Sequence, residues 1–227
     1  MKKILALGLM TAGLMASHAS HAKDWYVGAG LGWAKINESG SIGLYDPAEE
    51  THKGDFSDNG FQGAIFLGKN FDRPKFQWFF EVGGSVDNLE MKKTFTSSGP
   101  VGTNGNQATQ TLKRVGTLNI DFGVKKSFTH FDGALRLGVL LSKFEDRIDS
   151  RMTATPYDAK RTQYAWGIAP GVGISKKISN LSVGLNCSYQ VYDSIKTSSF
   201  ARDDVVTYNF RTEPRYWNFM ATVSKSL

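Results

Sequence analysis

The sequence predicts an all-β fold: an eight-stranded antiparallel up-and-down transmembrane β-barrel with short periplasmic turns and four long extracellular loops. Three observations carry this. Segments of roughly ten residues alternate large apolar side chains with small or polar ones, the period of two that a strand imposes. Eight such segments occur, each about long enough to cross a bilayer as a tilted strand. Short and long connections alternate strictly between them, as they do when one rim of a barrel carries tight turns and the other carries exposed loops.

Residues 1–22 stand apart as an expected signal peptide. "MKK" precedes an apolar run from Ile4 to Ala16, and Ser20 with Ala22 supplies the small residues of a signal-peptidase site; the run is too short to span a bilayer as a helix. The barrel domain is expected to occupy residues 23–227. Without Lys2 and Lys3, 25 Lys and Arg stand against 21 Asp and Glu, a formal charge of +4. So weak a bias points to no nucleic acid. Cys187 is the only cysteine, so an exported chain forms no internal disulfide and no cysteine-based zinc cage.

The first strand is "DWYVGAGLGWAK", residues 24–35. Its glycines suggest a nucleotide loop, but Gly32 falls one position early for Gly-x-Gly-x-x-Gly, and no helical period follows. Read with a period of two, Trp25, Val27, Ala29, Leu31 and Trp33 share one face, and Tyr26, Gly28, Gly30 and Gly32 the other. The second strand, 61–69, puts Phe61, Ile65 and Leu67 together. The third, 76–86, sets Trp78, Phe80, Val82 and Val86 against Glu81, Gly83 and Ser85. In the fourth, 113–124, Leu118, Ile120, Phe122 and Val124 oppose Thr117, Asn119, Asp121 and Gly123. The fifth, 132–143, sets Leu135, Leu137, Val139 and Leu141 against Arg136, Gly138 and Ser142. The sixth, 163–175, opposes Tyr164, Trp166, Ile168, Pro170, Val172 and Ile174 to small residues, among them Gly167, Gly171 and Gly173. The seventh, 181–191, sets Leu181, Val183, Leu185, Cys187, Tyr189 and Val191 against Ser182, Gly184, Asn186, Ser188 and Gln190. The eighth sets Trp217, Phe219, Ala221 and Val223 against Tyr216, Asn218, Thr222 and Ser224.

Gly, Ser, Asn, Thr and single charges cannot line a dry ligand cavity, as the interior of a soluble barrel would require, so the bulky face meets lipid. Trp25, Trp33, Trp78, Tyr164, Trp166 and Trp217 fall near strand ends, where aromatic belts mark the two interfaces. An even strand number places both termini in the periplasm. The three turns then hold seven basic against two acidic residues, while the first loop, 36–58, holds six acids against Lys53. Lys92, Lys93, Lys113 and Arg114 offer a local basic patch on the second loop.

At this point the chain resembles the small eight-stranded outer-membrane proteins, the group containing the OmpA transmembrane domain, the opacity-type surface antigens and the OmpX and Ail proteins. The resemblance rests on "DWYVGAGLGW", on "GFQGAIFLGKNF" running into a short turn, on "FFEVGGS" with its inward acid, and on the alternating C-terminal strand. It implies a monomer in the outer membrane of a Gram-negative bacterium, in contact with outer-membrane lipids and lipopolysaccharide and inserted by the barrel-assembly machinery. That machinery usually reads a terminal aromatic residue, where this chain has Leu227. It also implies a charged pair across the lumen.

Glu81, Asp121 and Arg136 all point inward at similar height, so Arg136 is expected to pair with Glu81 or Asp121 and plug the barrel. Little conductance is then expected of the unmutated protein and more of Arg136→Ala. The function expected is non-enzymatic: envelope integrity, or surface interaction through the loops with an extracellular ligand, with a small-solute porin as the alternative. A further alternative, a lipid A-modifying enzyme, would need a site such as His52, Ser85 and Asp87. The acids Asp46, Glu49, Glu50, Asp55 and Asp58 lack the spacing of a calcium loop. No cofactor, metal or catalytic residue is called for.

Overall fold

The computed structural model describes residues 24–45, 50–72, 75–96, 107–151, 157–200 and 207–227; the expected signal peptide lies outside the described residues. The elements are all strands: β1 (Trp25–Tyr45), β2 (Glu50–Asp72), β3 (Gln77–Asp87), β4 (Glu90–Thr96), β5 (Gln107–Ser127), β6 (Asp132–Arg151), β7 (Tyr157–Ile178), β8 (Leu181–Tyr192), β9 (Ile195–Phe200), β10 (Thr207–Thr212) and β11 (Arg215–Ser226). Eight of them lie in the order β11-β8-β7-β6-β5-β3-β2-β1, and β11 pairs back onto β1, closing an antiparallel barrel. The closing ladder runs from Tyr26↔Ser226 to Ile36↔Tyr216. Leu227 N donates to Trp25 O at 2.9 Å, so the seam is bonded to the last residue. Closure matters because an open edge in hydrocarbon would leave backbone groups unpaired at several kcal/mol each.

The alternation sorts the side chains as a membrane requires. Leu31 is 75% exposed and Phe61 76%, with Leu118, Leu135, Trp166 and Leu185 also exposed. In water such a contiguous apolar band would be a large liability; against acyl chains it is the favoured face. The inward face is crowded. A Cβ added to Gly32 would run into Phe219 O across the closing seam, so this close strand approach requires glycine.

The ladder extends well beyond the apolar alternation. β1 and β2 stay paired from Trp25↔Lys69 to Leu44↔Glu50, so most of the first connection, expected as loop, is strand; β5 and β6 likewise pair from Ser127↔Asp132 out to Gln107↔Arg151. A hairpin ladder needs only its backbone bonds to continue, and polar faces do not stop it in water. Apolar alternation marks the part of each strand that crosses lipid.

Three barrel strands break where they leave that zone. β3 gives way to β4 at residues 88–89, β8 to β9 at 193–194, and β11 is preceded by β10 across 213–214. At the first break Asn88 N donates to Phe61 O at 3.2 Å, and Phe61 N donates to Asn88 Oδ1 at 2.8 Å. At the third sits Pro214, which has no N–H to give a ladder. Beyond the breaks β4 pairs with β5, β9 with β10, and β10 with β1. Among the described residues no ladder joins β2 to β4 or β7 to β9. Above the membrane zone the barrel therefore divides into two four-stranded sheets, β9-β10-β1-β2 and β4-β5-β6-β7. The buried apolar cluster, including Ile36, Leu89, Met91, Leu112, Phe144 and Ile195, draws on strands of both.

Candidate functional site

The lumen is filled in successive layers. Nearest the turns, Tyr26 and Phe79 are buried, and Tyr26 meets Phe66 edge-on with ring centres 6.4 Å apart. Lys125 places its ammonium 5.8 Å from the Tyr26 ring and 5.7 Å from the Phe79 ring, within cation–π range. Its alternation on β5 turns this lysine into the lumen, so it adds nothing to the basic exterior of the turns.

The second layer holds the three charges singled out from the sequence. Glu81 and Asp121 are direct cross-strand partners on β3 and β5. Arg136, on β6, donates from Nη2 to Glu81 Oε2 in a short ion pair, and its Nε lies 3.6 Å from Asp121 Oδ1. Tyr26 Oη donates to Glu81 Oε1 at 2.8 Å, tying the first layer to the second. Asn119 donates to Asp121, and the Arg136 guanidinium lies 5.7 Å from the Phe79 ring. One cation thus sits between two carboxylates, with Tyr26 and Asn119 as further donors to them; burial of such charges is tolerable only with partners of this kind.

Beyond this layer is a cavity of about 80 Å³, its wall including Gln62, Ser85, Asn119, Asn186, Ser188 and Asn218. Gln62 Oε1 and Asn218 Oδ1 are buried without a protein partner. A polar space of this size suits a few waters.

The third layer was not legible in the sequence. A register shift between Arg114 and Gly116 interrupts the β5–β6 pairing. The extra residue reverses the alternation, as a β-bulge does, so Arg114 points inward and Lys113 outward. The Arg114 side chain is fully buried. Its Nε donates to Asp87 Oδ2 at 2.6 Å, its Nη1 to Gln190 Oε1 at 2.7 Å, and its guanidinium stacks 4.3 Å from the Tyr216 ring. Ser142 Oγ donates to Tyr192 Oη at 2.8 Å and lies 2.6 Å from Thr117 Oγ1. The expected basic patch loses Arg114 to this layer; the Lys93 side chain lies outside the described residues. A glycine inside a strand pattern, Gly116, was the one available signal of the bulge.

Above Arg114 comes the apolar cluster between the two sheets, with Phe144 fully buried. Beside it Gln110 Nε2 donates to both oxygens of buried Asp146, at 3.1 and 3.3 Å. The lumen therefore passes from a cation–π layer through an ion-paired layer, a small polar cavity and a second ion-paired layer to a hydrophobic core.

The aromatic residues singled out from the sequence lie on the outward face at two levels. Trp25 and Trp78 stand at the turn end, where Lys69 covers the Trp25 ring at 5.5 Å. Trp33, Tyr164, Trp166 and Trp217 stand at the other. There Trp33 packs on Phe219 with ring centres 5.9 Å apart, and Trp217 on Tyr189 at 4.8 Å. Of the residues the enzymatic alternative would need, two are already engaged. Asp87 is engaged by Arg114 and Ser85 Oγ accepts from Gln62 Nε2 at 2.7 Å. His52 has its backbone in β2, opposite Ile42, with its side chain outside the described residues. Asp46 and Glu49, with the side chains of Glu50 and Asp55, likewise lie outside the described residues. Among the described residues no three His, Cys, Asp or Glu side chains converge as a metal site would need.

A closed antiparallel barrel with an apolar exterior and a filled polar lumen defines an integral outer-membrane barrel. Residues 4–213 match the outer membrane protein beta-barrel domain, and the chain belongs to that family. Among solved structures it is similar to the outer membrane protease OmpT from Escherichia coli, with a TM-score of 0.53 at 7% identity over 89% of this chain and 97% of that one. It is similar also to the outer membrane protein OprG from Pseudomonas aeruginosa, with a TM-score of 0.51 at 14% identity over 89% and 95%. Neisserial surface protein A gives 0.40 at 14% identity over 90% and 98%. At these identities the likeness to OmpT and OprG is one of fold. No curated protein matches the sequence.

Proposed function

We propose that this protein is a non-conducting, non-enzymatic outer-membrane barrel that acts at the cell surface, in envelope integrity or in contact with an extracellular ligand. The observation that carries this reading is the Arg114–Asp87 layer beneath the apolar cluster. Both side chains of that pair are fully buried, and a solute crossing the barrel would have to separate them and then pass through hydrophobic packing. A porin needs a continuous aqueous path, and a lipid-modifying enzyme needs an activated nucleophile or base. The lumen offers a small cavity, and Arg136 and Arg114 are engaged with Glu81 and Asp87. What remains available is the outer surface, where paired strands stand beyond the apolar band as two supported sheets.

Planar-bilayer recording of the refolded protein tests the reading. No steady unitary conductance is expected at physiological salt; a steady open channel in the unmutated protein would overturn it in favour of the porin.

A further inference from the structure

The wall of the cavity between the two ion-paired layers is short of positive charge. Its charged members are Glu81, Asp121 and Arg136, so one guanidinium faces two carboxylates. Arg136 makes its short ion pair with Glu81, which also accepts from Tyr26, and stands farther from Asp121, at 3.6 Å. Lys125 lies in the layer nearer the turns, its ammonium over the Tyr26 and Phe79 rings. Asp121 is thus the carboxylate whose charge is less fully met on this wall.

The neutral side chains add to the imbalance. Gln62 and Asn218 are only 4% and 7% exposed, and Gln62 Oε1 and Asn218 Oδ1 are buried on this wall without a protein hydrogen bond. The amide nitrogen of Gln62 is engaged with Ser85 Oγ, which leaves its carbonyl end toward the cavity. The two residues stand on β2 and β11, on either side of β1, Gln62 paired with Gly32 and Asn218 with Ala34. Gly32 puts no side chain between them. Arg136 Nε also lacks a hydrogen bond, but it lies toward Asp121.

A buried acceptor left without a donor loses its hydration uncompensated. Water can donate to either oxygen but brings no charge to Asp121. A positive ion answers both needs, and neutral oxygen ligands with one carboxylate nearby suit an alkali cation. Calcium or magnesium would call for more carboxylates than the one that is incompletely paired here. We propose that this cavity binds one partly dehydrated alkali cation, held by Gln62 Oε1 and Asn218 Oδ1, with Asp121 as its counter-charge and water completing its shell.

A cation bound only to the folded barrel raises its stability with the logarithm of the ion concentration. The test is the urea midpoint of the full chain refolded in zwitterionic phosphocholine vesicles at pH 8, in sodium, potassium or choline chloride at matched ionic strength. The midpoint should be higher in at least one alkali salt than in choline chloride, and should climb as choline is replaced. Asn218→Leu, which removes one carbonyl oxygen at similar volume, should abolish that dependence. Glu145→Gln, outside the lumen beside Lys160, should keep it. Asn218→Asp retains the oxygen and adds a charge, and should reach its half-effect at about tenfold less alkali salt; a gain of that kind cannot come from a damaged fold. Equal midpoints in all three salts overturn the proposal. So does a dependence that survives Asn218→Leu, one that is lost in Glu145→Gln, or a half-effect for Asn218→Asp that is unchanged or higher. None of these readouts depends on whether the barrel conducts, so the proposed function stands or falls separately.

Discussion

Asp87 and Arg114 lie 27 residues apart in the chain, on neighbouring barrel strands, and meet as an ion pair of 2.6 Å with neither side chain reaching solvent. Gln190 and the Tyr216 ring complete the arginine's surroundings. Removing one member strands the other charge in a sealed interior. Arg114→Met and Asp87→Leu are each expected to cost about 3–5 kcal/mol, and the double variant distinctly less than the sum, because it leaves no uncompensated charge. Urea unfolding of protein refolded in vesicles measures all three; additive losses would show that the pair is not coupled.

Two glycines on paired strands separate packing from composition. At Gly32 an added Cβ would strike Phe219 O and crowd Met220 across the seam that closes the barrel, whereas at Gly63 it would meet only Leu31 Cδ2 at 4.0 Å on the lipid side. Gly32→Ala should destabilise by about 1–3 kcal/mol, as overpacking does. Gly63→Ala should stay within about 0.5 kcal/mol of the unmutated protein. The measurement is the urea midpoint together with the fraction folded by gel mobility without heating. Equal effects would mean that the seam can widen to take a methyl group.

The membrane-crossing half of the fold was legible because lipid imposes a strict alternation: Leu31, Phe61 and Leu118 had to face out, and Glu81, Asp121 and Arg136 had to face in. The half above it was not. Polar strands in water carry no such stripe, so the extension of β1 and β2 reads as loop. The bulge beside Gly116 reverses the phase just before Arg114, so an arginine that fills the lumen reads as a surface charge. Lys125, one of the seven basic residues counted at the turns, is a related case, since a lysine near a turn is normally solvated, and only the Tyr26 and Phe79 rings show where its charge goes.

The layered lumen changes what a single substitution should do. Opening the Arg136 layer alone leaves Arg114, Asp87 and the apolar cluster in place. Arg136→Ala is therefore expected to show no steady conductance, in contrast to the expectation from a single plug. Arg136→Ala combined with Arg114→Ala and Phe144→Ala should give channel events if the barrel folds. Planar-bilayer recording decides, with gel mobility confirming the folded fraction. A steady channel from Arg136→Ala alone would mean that the upper layers open readily and do not bar solutes.

The exterior can be tested without touching the lumen. Leu31 is 75% exposed on the face shared with Val27 and Trp33 and lies between Gly63 and Ala221 on the neighbouring strands, near the middle of the apolar band. Leu31→Arg places a guanidinium where no partner is at hand, and should cost about 2–4 kcal/mol. Lys225 offers the matched comparison: it sits on the same outward face beside Val27 at the turn end, where a long side chain can extend to the headgroups. Lys225→Leu should therefore change stability by less than about 0.5 kcal/mol. Both are read as urea midpoints in lipid vesicles. A penalty for Leu31→Arg as small as that for Lys225→Leu would mean that Leu31 does not face hydrocarbon, and the membrane band would have to be redrawn.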